Sequence, residues 1–518
     1  MAISFTNIPI NLRSRGFYAE VDASKAATGQ IGLARSLVFG QKVASGTGVA
    51  NIPFKVTSPG AADTAGGFGS MFARMCAAYM ASDPLGDLWG VVVDDSAGAQ
   101  ATAQIVFGGT ATAAGTIMLY VGGQLLNRDA ATRGIPVAIS DTGTTVGASI
   151  QAALGLNEAA AVTLKSPYIC TASNAAGTVT FTVRHKGEGG NEVDLRLNHF
   201  GTEGGERLPS GITAGVTQIT CSGGTIPPVL TTAIANLGDV SYNDIIWPWT
   251  DTTSLNAIQV EMNDTLTGRW GPLRQCYGRV YSAKLQAYAG AATWGDARND
   301  QHMCIPRIEK DPFPPWEIAA AAGGTAAQSL RIDPARTVQT LSLPGILCPQ
   351  AADAWTKIER NTLLYHRLAQ LETINGQLCI DRLITTYGAS PSGSPDNSML
   401  DVETMATLQY LIQDTAARIQ TKYGRHKLAD DGTQFGPGQA IVTPSVIKGE
   451  LVAAYAEYEE RGLVENADVF RRYLIVERNG TDPDRLDILY PPDIINNCRV
   501  FALLAQFRLQ YSAAEKAA

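Results

Sequence analysis

The sequence predicts an α/β (α+β multidomain) protein, and three observations carry that prediction. At 518 residues the chain is too long for one ordinary core. From residue 225 to about 330, short apolar runs alternate with helical periodicity, the pattern of an α/β layer with parallel pairing. From Gly98 to Gly224 the composition turns to Ala, Gly and Thr, with apolar runs bounded by Gly pairs, which predicts an inserted β-rich module.

Taken in order, Ile3 and Phe5 alternate with polar neighbours before Pro9, and Phe17, Ala19 and Val21 alternate with Tyr18, Glu20 and Asp22. This reads as an extended N-terminal arm and a short strand. Leu33–Phe39 is a second apolar run. Ser70–Met80 carries Met71, Met75 and Ala78 on one helical side, and Trp89–Val93 reads as a buried strand ending at Asp94-Asp95. Within the insert, Ile105–Phe107, Ile117–Val121, Val179–Val183 and Val193–Leu197 are expected strands, Thr145–Leu156 a helix, and Gly201–Gly224 the exit loop. Beyond it, Ile245–Trp249 predicts a strand, Thr250-Asp-Thr-Thr-Ser254 supplies N-cap residues, and Leu255–Leu266 continues as a helix. Val280–Leu285 and Met303–Ile308 add strands, and Trp316–Leu330 an Ala-rich helix.

Two punctuated helices follow. Met405, Leu408, Ile412, Ile419 and Tyr423 keep helical spacing, with Asp401 and Glu403 in the first turn and Arg418 and Lys422 near the end, as the helix dipole favours. Thr443-Pro444 opens the second helix and Gly462 stands where a C-cap glycine belongs. That helix carries an apolar stripe, Ile447, Leu451, Tyr455 and Tyr458. On another side lie Glu450, Glu457 and Glu460, either a solvated surface or an acidic docking face. Phe470–Glu477 and Arg485–Tyr490 form an expected hairpin around Asn479-Gly480. After Pro491-Pro492, Phe501, Leu503, Ala505, Phe507, Leu509 and Tyr511 fall on one side of a two-residue period while Gln506, Arg508 and Gln510 fall on the other, the signature of a terminal strand. Such a strand can pair with its own sheet or with another molecule's.

The organisation expected is an N-terminal arm (1–25), a first part of the α/β core (26–97), the β-rich insert (98–224), the rest of the core (225–390), a C-terminal domain (391–497) and a C-terminal strand arm (498–518).

Chemistry is sparse along this chain. Forty basic against 48 acidic residues give a net charge of −8 with no long basic run, which argues against nucleic acid as a partner. The eight cysteines form no C-x-x-C pair, so neither a disulfide framework nor a zinc site is indicated, and no cofactor motif occurs. The start lacks a basic segment followed by an apolar core, and no long apolar run follows, so folding in a reducing cytoplasm without membrane insertion is expected. Five isolated histidines read as structural or surface residues. Ser70, in Gly67-Phe-Gly-Ser-Met71, resembles the Gly-x-Ser-Met context of a subtilisin nucleophile. It precedes every histidine, however, against the subtilisin order Asp, His, Ser, and a Gly-rich turn opening a helix is the better reading. Asp94-Asp95 could hold a divalent cation but lacks companion carboxylates at loop spacing, which favours a solvated turn. Gly187-Glu-Gly-Gly-Asn191 could be a phosphate loop, yet its Val and Leu flanks favour a hairpin turn.

A set of phrases then supports a family. Glu359-Arg-Asn-Thr-Leu-Leu364, Cys379-Ile-Asp-Arg-Leu-Ile-Thr-Thr-Tyr387, Ile441-Val-Thr-Pro444, Gly462-Leu-Val-Glu-Asn466 and Ile475-Val-Glu-Arg-Asn479 occur in this order. With Ile3-Ser-Phe-Thr-Asn-Ile-Pro9 and Gly16-Phe-Tyr-Ala-Glu-Val-Asp22 at the start, the chain resembles the contractile tail sheath family of Mu-like bacteriophages over nearly its whole length, most loosely in the insert. The resemblance implies a virion structural protein, not an enzyme, assembled in the host cytoplasm. It would polymerise with copies of itself around a tail tube protein, meet baseplate and tail terminator proteins, and contract to drive the tube through the bacterial envelope. It further implies a subtilisin-like α/β core without a catalytic triad, an outward β domain and an inner C-terminal domain. Carried onto this chain, the intersubunit arm candidates are Ile3, Phe5, Phe17, Ala19 and Val21 at one end and Phe501, Leu503, Phe507, Leu509 and Tyr511 at the other. The tube-facing candidates are Glu450, Glu457 and Glu460. The alternatives are a serine hydrolase of subtilisin-like architecture, or another virion component such as a tube or capsid subunit.

Overall fold

The computed structural model describes residues 34–129, 131–159 and 168–510. The arm candidates Ile3, Phe5, Phe17, Ala19, Val21 and Tyr511 lie outside the described residues.

At the centre is a six-stranded sheet whose spatial order is Met303–Cys304, Arg279–Tyr281, Asp244–Ile246, Arg35–Gln41, Asp87–Val93 and Phe54–Lys55. The first five run parallel, with Val38 opposite both Ile246 and Gly90, and the sixth is antiparallel. The alternation of side chains along a strand sorts the sheet's residues into two layers. Leu37, Phe39, Val91, Val93 and Ile245 pack with Leu255 and Ile258 of the Thr252–Met262 helix. Val38, Val92 and Ile246 pack on the other side with Phe72, Met75 and Trp316. Those three come from the helices Met71–Ser82 and Pro315–Ile332. The second of these is buried along its whole length from Pro315 to Ala327, as expected of an apolar helix wedged between layers.

The insert forms two antiparallel four-stranded sheets. One orders Ile212–Ala214, Gln100–Gly109, Thr178–Lys186 and Cys170–Ala175; the other orders Gln218–Thr220, Asp194–Leu197, Leu119–Val121 and Gln124–Leu125. Three expectations are corrected here. The run Ile117–Val121 is divided at Met118, with Gly115–Ile117 pairing Ile135–Val137 while Leu119–Val121 joins the second sheet. Gly187–Asn191 is no hairpin turn: a 3₁₀ segment, Glu188–Glu192, carries the chain from one sheet to the other. The exit segment 201–224 is not wholly loop, because two of its stretches pair as edge strands.

Between core and C-terminal helices, Lys357–Tyr365 begins with a capping box in which Thr356 and Glu359 each accept the other's backbone N–H. Asn375 and Gly376, both at positive φ, turn the hairpin Gln370–Ile374/Gln377–Arg382. The helices Val402–Tyr423 and Pro444–Glu460 follow as the periodicity predicts, and Ile447, Leu451, Tyr455 and Tyr458 are all buried. The expected strand Phe470–Glu477 is corrected, since Ala467–Tyr473 is helical and the strand is confined to Ile475–Arg478. Phe470 stacks on Tyr455 with ring centroids 3.8 Å apart, a contact that the helical turn permits. Arg471 and Arg472 sit at its C-terminal end, where the dipole favours cations. The terminal segment forms no strand among the described residues: Cys498 to Gln510 is unpaired there, and every residue from Val500 to Gln510 is exposed. Alternation alone does not make a strand, because the backbone donors and acceptors need a neighbouring strand.

Candidate assembly surfaces

The would-be chemistry resolves into structure. Ser70 is buried and caps the Met71–Ser82 helix, accepting the Ala73 N–H at 3.1 Å. Asp94 pairs with Lys42 at 3.1 Å, and Asp95 Oδ1 accepts the Lys186 N–H at 2.7 Å, the Ser96 N–H at 3.1 Å and Gln41 Nε2 at 3.2 Å. Asp95 therefore ties the end of the central sheet to the insert. Among the described residues no group of three or more His, Cys, Asp or Glu converges as a metal site. His302 stacks on Trp270 and lies 3.0 Å from Asp264, His366 lies 2.8 Å from Asp296, and His426 is exposed. His185 is fully buried, and burial pushes its ring down to about 4.

One polar join between insert and core was invisible in the sequence. Arg74 on the Met71–Ser82 helix donates from Nε and Nη2 to Glu317 Oε2 at 2.9 and 2.7 Å. It also donates to the Gly122 carbonyl at 2.6 Å and to Gln124 Oε1 at 3.2 Å. The two side chains are 4% and 5% exposed, so one guanidinium holds two core helices and an insert turn in a dry site. Burial holds the Glu317 carboxyl above its ordinary range even with Arg74 beside it.

The proposed acidic face on Pro444–Glu460 changes character. Glu450 pairs with Lys422, and Glu457 with Arg418 at 2.7 Å, which holds the Glu457 carboxyl below its usual range. Arg418 also contacts Asp414 at 2.5 Å, and the Tyr458 hydroxyl donates to the same carboxylate at 2.5 Å. The cations that the dipole argument placed near the end of Val402–Tyr423 thus neutralise two of the three glutamates within the subunit. Only Glu460 retains an exposed position without such a partner among the described residues.

Large apolar side chains are exposed at the C-terminal end. Phe501, Leu503, Phe507 and Leu509 are 86–97% exposed. Close by in sequence, Ile475–Arg478 and Leu486–Leu489 form a sheet of two strands among the described residues, with Ile475, Ile488 and Leu489 facing solvent. A two-stranded sheet leaves both outer edges free for further strands.

Comparison with known proteins shows the family. Residues 223–386 match the family model described as the phage tail sheath protein central domain, and residues 394–508 match the phage tail sheath C-terminal domain. A Mu-like prophage tail sheath protein of Haemophilus influenzae is 39% identical over 513 residues, covering 98% of this chain and all of that one. The sheath tail protein of Desulfitobacterium hafniense aligns over 93% of this chain and 100% of its own, with TM-score 0.44 and 10% identity. That of Listeria innocua aligns over 92% and 95%, with TM-score 0.46 and 12% identity. On the strength of the near full-length match at 39% identity and the two matched domains, the chain belongs to the phage tail sheath family.

Proposed function

We propose that this subunit polymerises head to tail into a helical sheath around a tail tube, and that the C-terminal segment adds to a neighbour's sheet as a strand. The observation that carries this reading is the exposed run Val500–Gln510, whose Phe501, Leu503, Phe507 and Leu509 are left uncovered by the described residues. Burying each would contribute about 1.5–3 kcal/mol, and the main chain would gain ladder hydrogen bonds of about 0.5–1.5 kcal/mol each. Heterologous contacts of this kind generate a helix when the rotation does not close. The N-terminal candidates would make the reciprocal contact. Six units follow from this reading: arms at 1–25 and 498–518, a core from 26–97 and 225–390, an outward insert 98–224 and an inner C-terminal domain 391–497.

The core is read as subtilisin-like in layout and without enzymatic activity, since Ser70 is engaged as a helix cap. The tube, baseplate and terminator proteins are the other partners, met in the host cytoplasm. With Glu450 and Glu457 internally paired, Glu460 is the acidic candidate left for the tube-facing surface. Deleting Leu503–Ala518 should leave a soluble, folded subunit that forms no tubes in electron micrographs, while the full chain forms wide hollow cylinders. Normal cylinders from the truncated chain would defeat the arm assignment, and thin tubes or closed shells from the full chain would defeat the sheath geometry.

A further inference from the structure

Arg499 is the last described residue that is not exposed, and its side chain is only 11% exposed. Nη2 donates to Glu403 Oε2 at 2.8 Å and lies 3.1 Å from Asp401 Oδ1, while Nη1 donates to Thr337 Oγ1 at 3.2 Å. Glu403 is 1% exposed, and its other oxygen accepts the Val338 N–H at 3.0 Å. Asp401 is also held by Arg382, whose Nε and Nη2 donate to the two carboxylate oxygens at 3.0 Å each. The cluster holds two guanidinium groups and two carboxylates, so its charge balances. Asp401 is the N-cap and Glu403 stands in the first turn of the Val402–Tyr423 helix, where the dipole favours both carboxylates. Thr337 and Val338 follow the buried core helix Pro315–Ile332. One side chain at the root of the terminal segment therefore touches both the core and the start of the C-terminal helical unit.

We propose that Arg499 is the anchor of the C-terminal segment: it fixes where and in which direction that segment leaves the subunit, and passes load on it to the helix start at Asp401–Glu403 and to the core at Thr337–Val338. This inference rests on the reading of the segment as an intersubunit strand. Fully extended, residues 500–510 reach roughly 36–40 Å from the anchor. A fixed root concentrates the far end near one acceptor sheet, whereas a free root spreads it over every direction, which lowers its effective concentration at the acceptor. Arg499 is thus a positioning residue for assembly, and it touches no partner itself.

The test compares R499Q, R499K, the truncation after Arg499, and Y168F. The last removes a hydroxyl in the insert that donates to the Leu125 carbonyl at 2.9 Å and accepts the Asn127 N–H at 3.0 Å, and serves as a destabilised control. Each purified subunit is assayed for thermal midpoint, for hydrogen exchange at Val338, and for tubes by electron microscopy. R499Q is expected to stay folded, lose exchange protection at Val338, and lose ordered tubes. R499K, which keeps the charge without the planar fork, recovers a part. Y168F lowers the midpoint and leaves the tubes unchanged. Should R499Q not fold, R499Q/E403Q, which leaves no buried charge alone, replaces it with the same outcomes. Tubes from R499Q with wild-type rise and rotation at wild-type concentration overturn the proposal, as does an equal loss of tubes in Y168F. Normal tubes from the truncated chain overturn instead the arm reading beneath it.

Discussion

Replacing Arg74 by Met tests the join between insert and core directly. Met fills much of the same volume, so the change removes charge and hydrogen bonds more than packing. Removing one partner of a buried ion pair costs about 3–5 kcal/mol, because the remaining charge stays out of water unpaired. The Gly122 carbonyl loses its donor as well, and an orphaned buried acceptor costs about 1–3 kcal/mol by itself. Glu317 has one escape, which is to take up a proton. Burial already raises its carboxyl above the ordinary range with Arg74 present, and without Arg74 the rise is larger. A carboxyl whose folded pKa is raised binds its proton more tightly in the folded state, so stability falls as pH climbs from the unfolded value through the folded one. R74M should therefore lose at least about 3–5 kcal/mol at pH 8, the ion-pair term alone, and less at pH 6. Urea unfolding followed by tryptophan fluorescence reads this, since Trp316 is fully buried one residue from Glu317. In R74M/E317Q the loss should be smaller than the sum of the single losses, the mark of direct coupling. A loss under about 1 kcal/mol, or one equal at both pH values, would refute the reasoning.

Three further outcomes follow from single residues. His185, depressed to about 4 by burial, binds protons more readily unfolded than folded, so acid should cost the fold about 3 kcal/mol between pH 6.5 and 4. The substitution H185F should flatten that slope in a pH series of thermal midpoints. Gly462 has φ +68° and open space where a Cβ would stand, so G462A should cost about 1 kcal/mol, the backbone term alone. Gly123 has φ +81° and its Cβ would meet the Phe313 ring, so G123A should cost about 1–3 kcal/mol more than G462A, measured by the same unfolding assay.

Local structure is legible in the sequence where short-range chemistry decides. Asp251 caps its helix by accepting the Ser254 N–H at 2.9 Å, Ser70 opens another, and Gly462 takes the left-handed φ expected just past Pro444–Glu460. The apolar run Leu33–Phe39 overlaps the strand Arg35–Gln41 and Trp89–Val93 falls within Asp87–Val93, because a strand covered on both faces is apolar along its buried centre. Misreadings arose where a residue's partner is remote. Nothing near Met118 shows that the strand breaks there to serve two sheets, and Arg74 and Glu317 are 243 positions apart. Glu450 and Glu457 form a clean acidic side on their own helix, and only the packing of Val402–Tyr423 against it reveals the cations that neutralise them.

By itself the sequence determined the family, the order of core, insert and C-terminal helices, and the apolar alternation at the chain's end. Those features are written in neighbouring residues and in ordered phrases. Tertiary structure alone decided that Val500–Gln510 has no strand partner among the described residues, that two of three surface glutamates are already paired, and that the terminal segment is rooted at Arg499. Each of these depends on which distant side chains meet, and a period along the chain carries no record of what lies across from it.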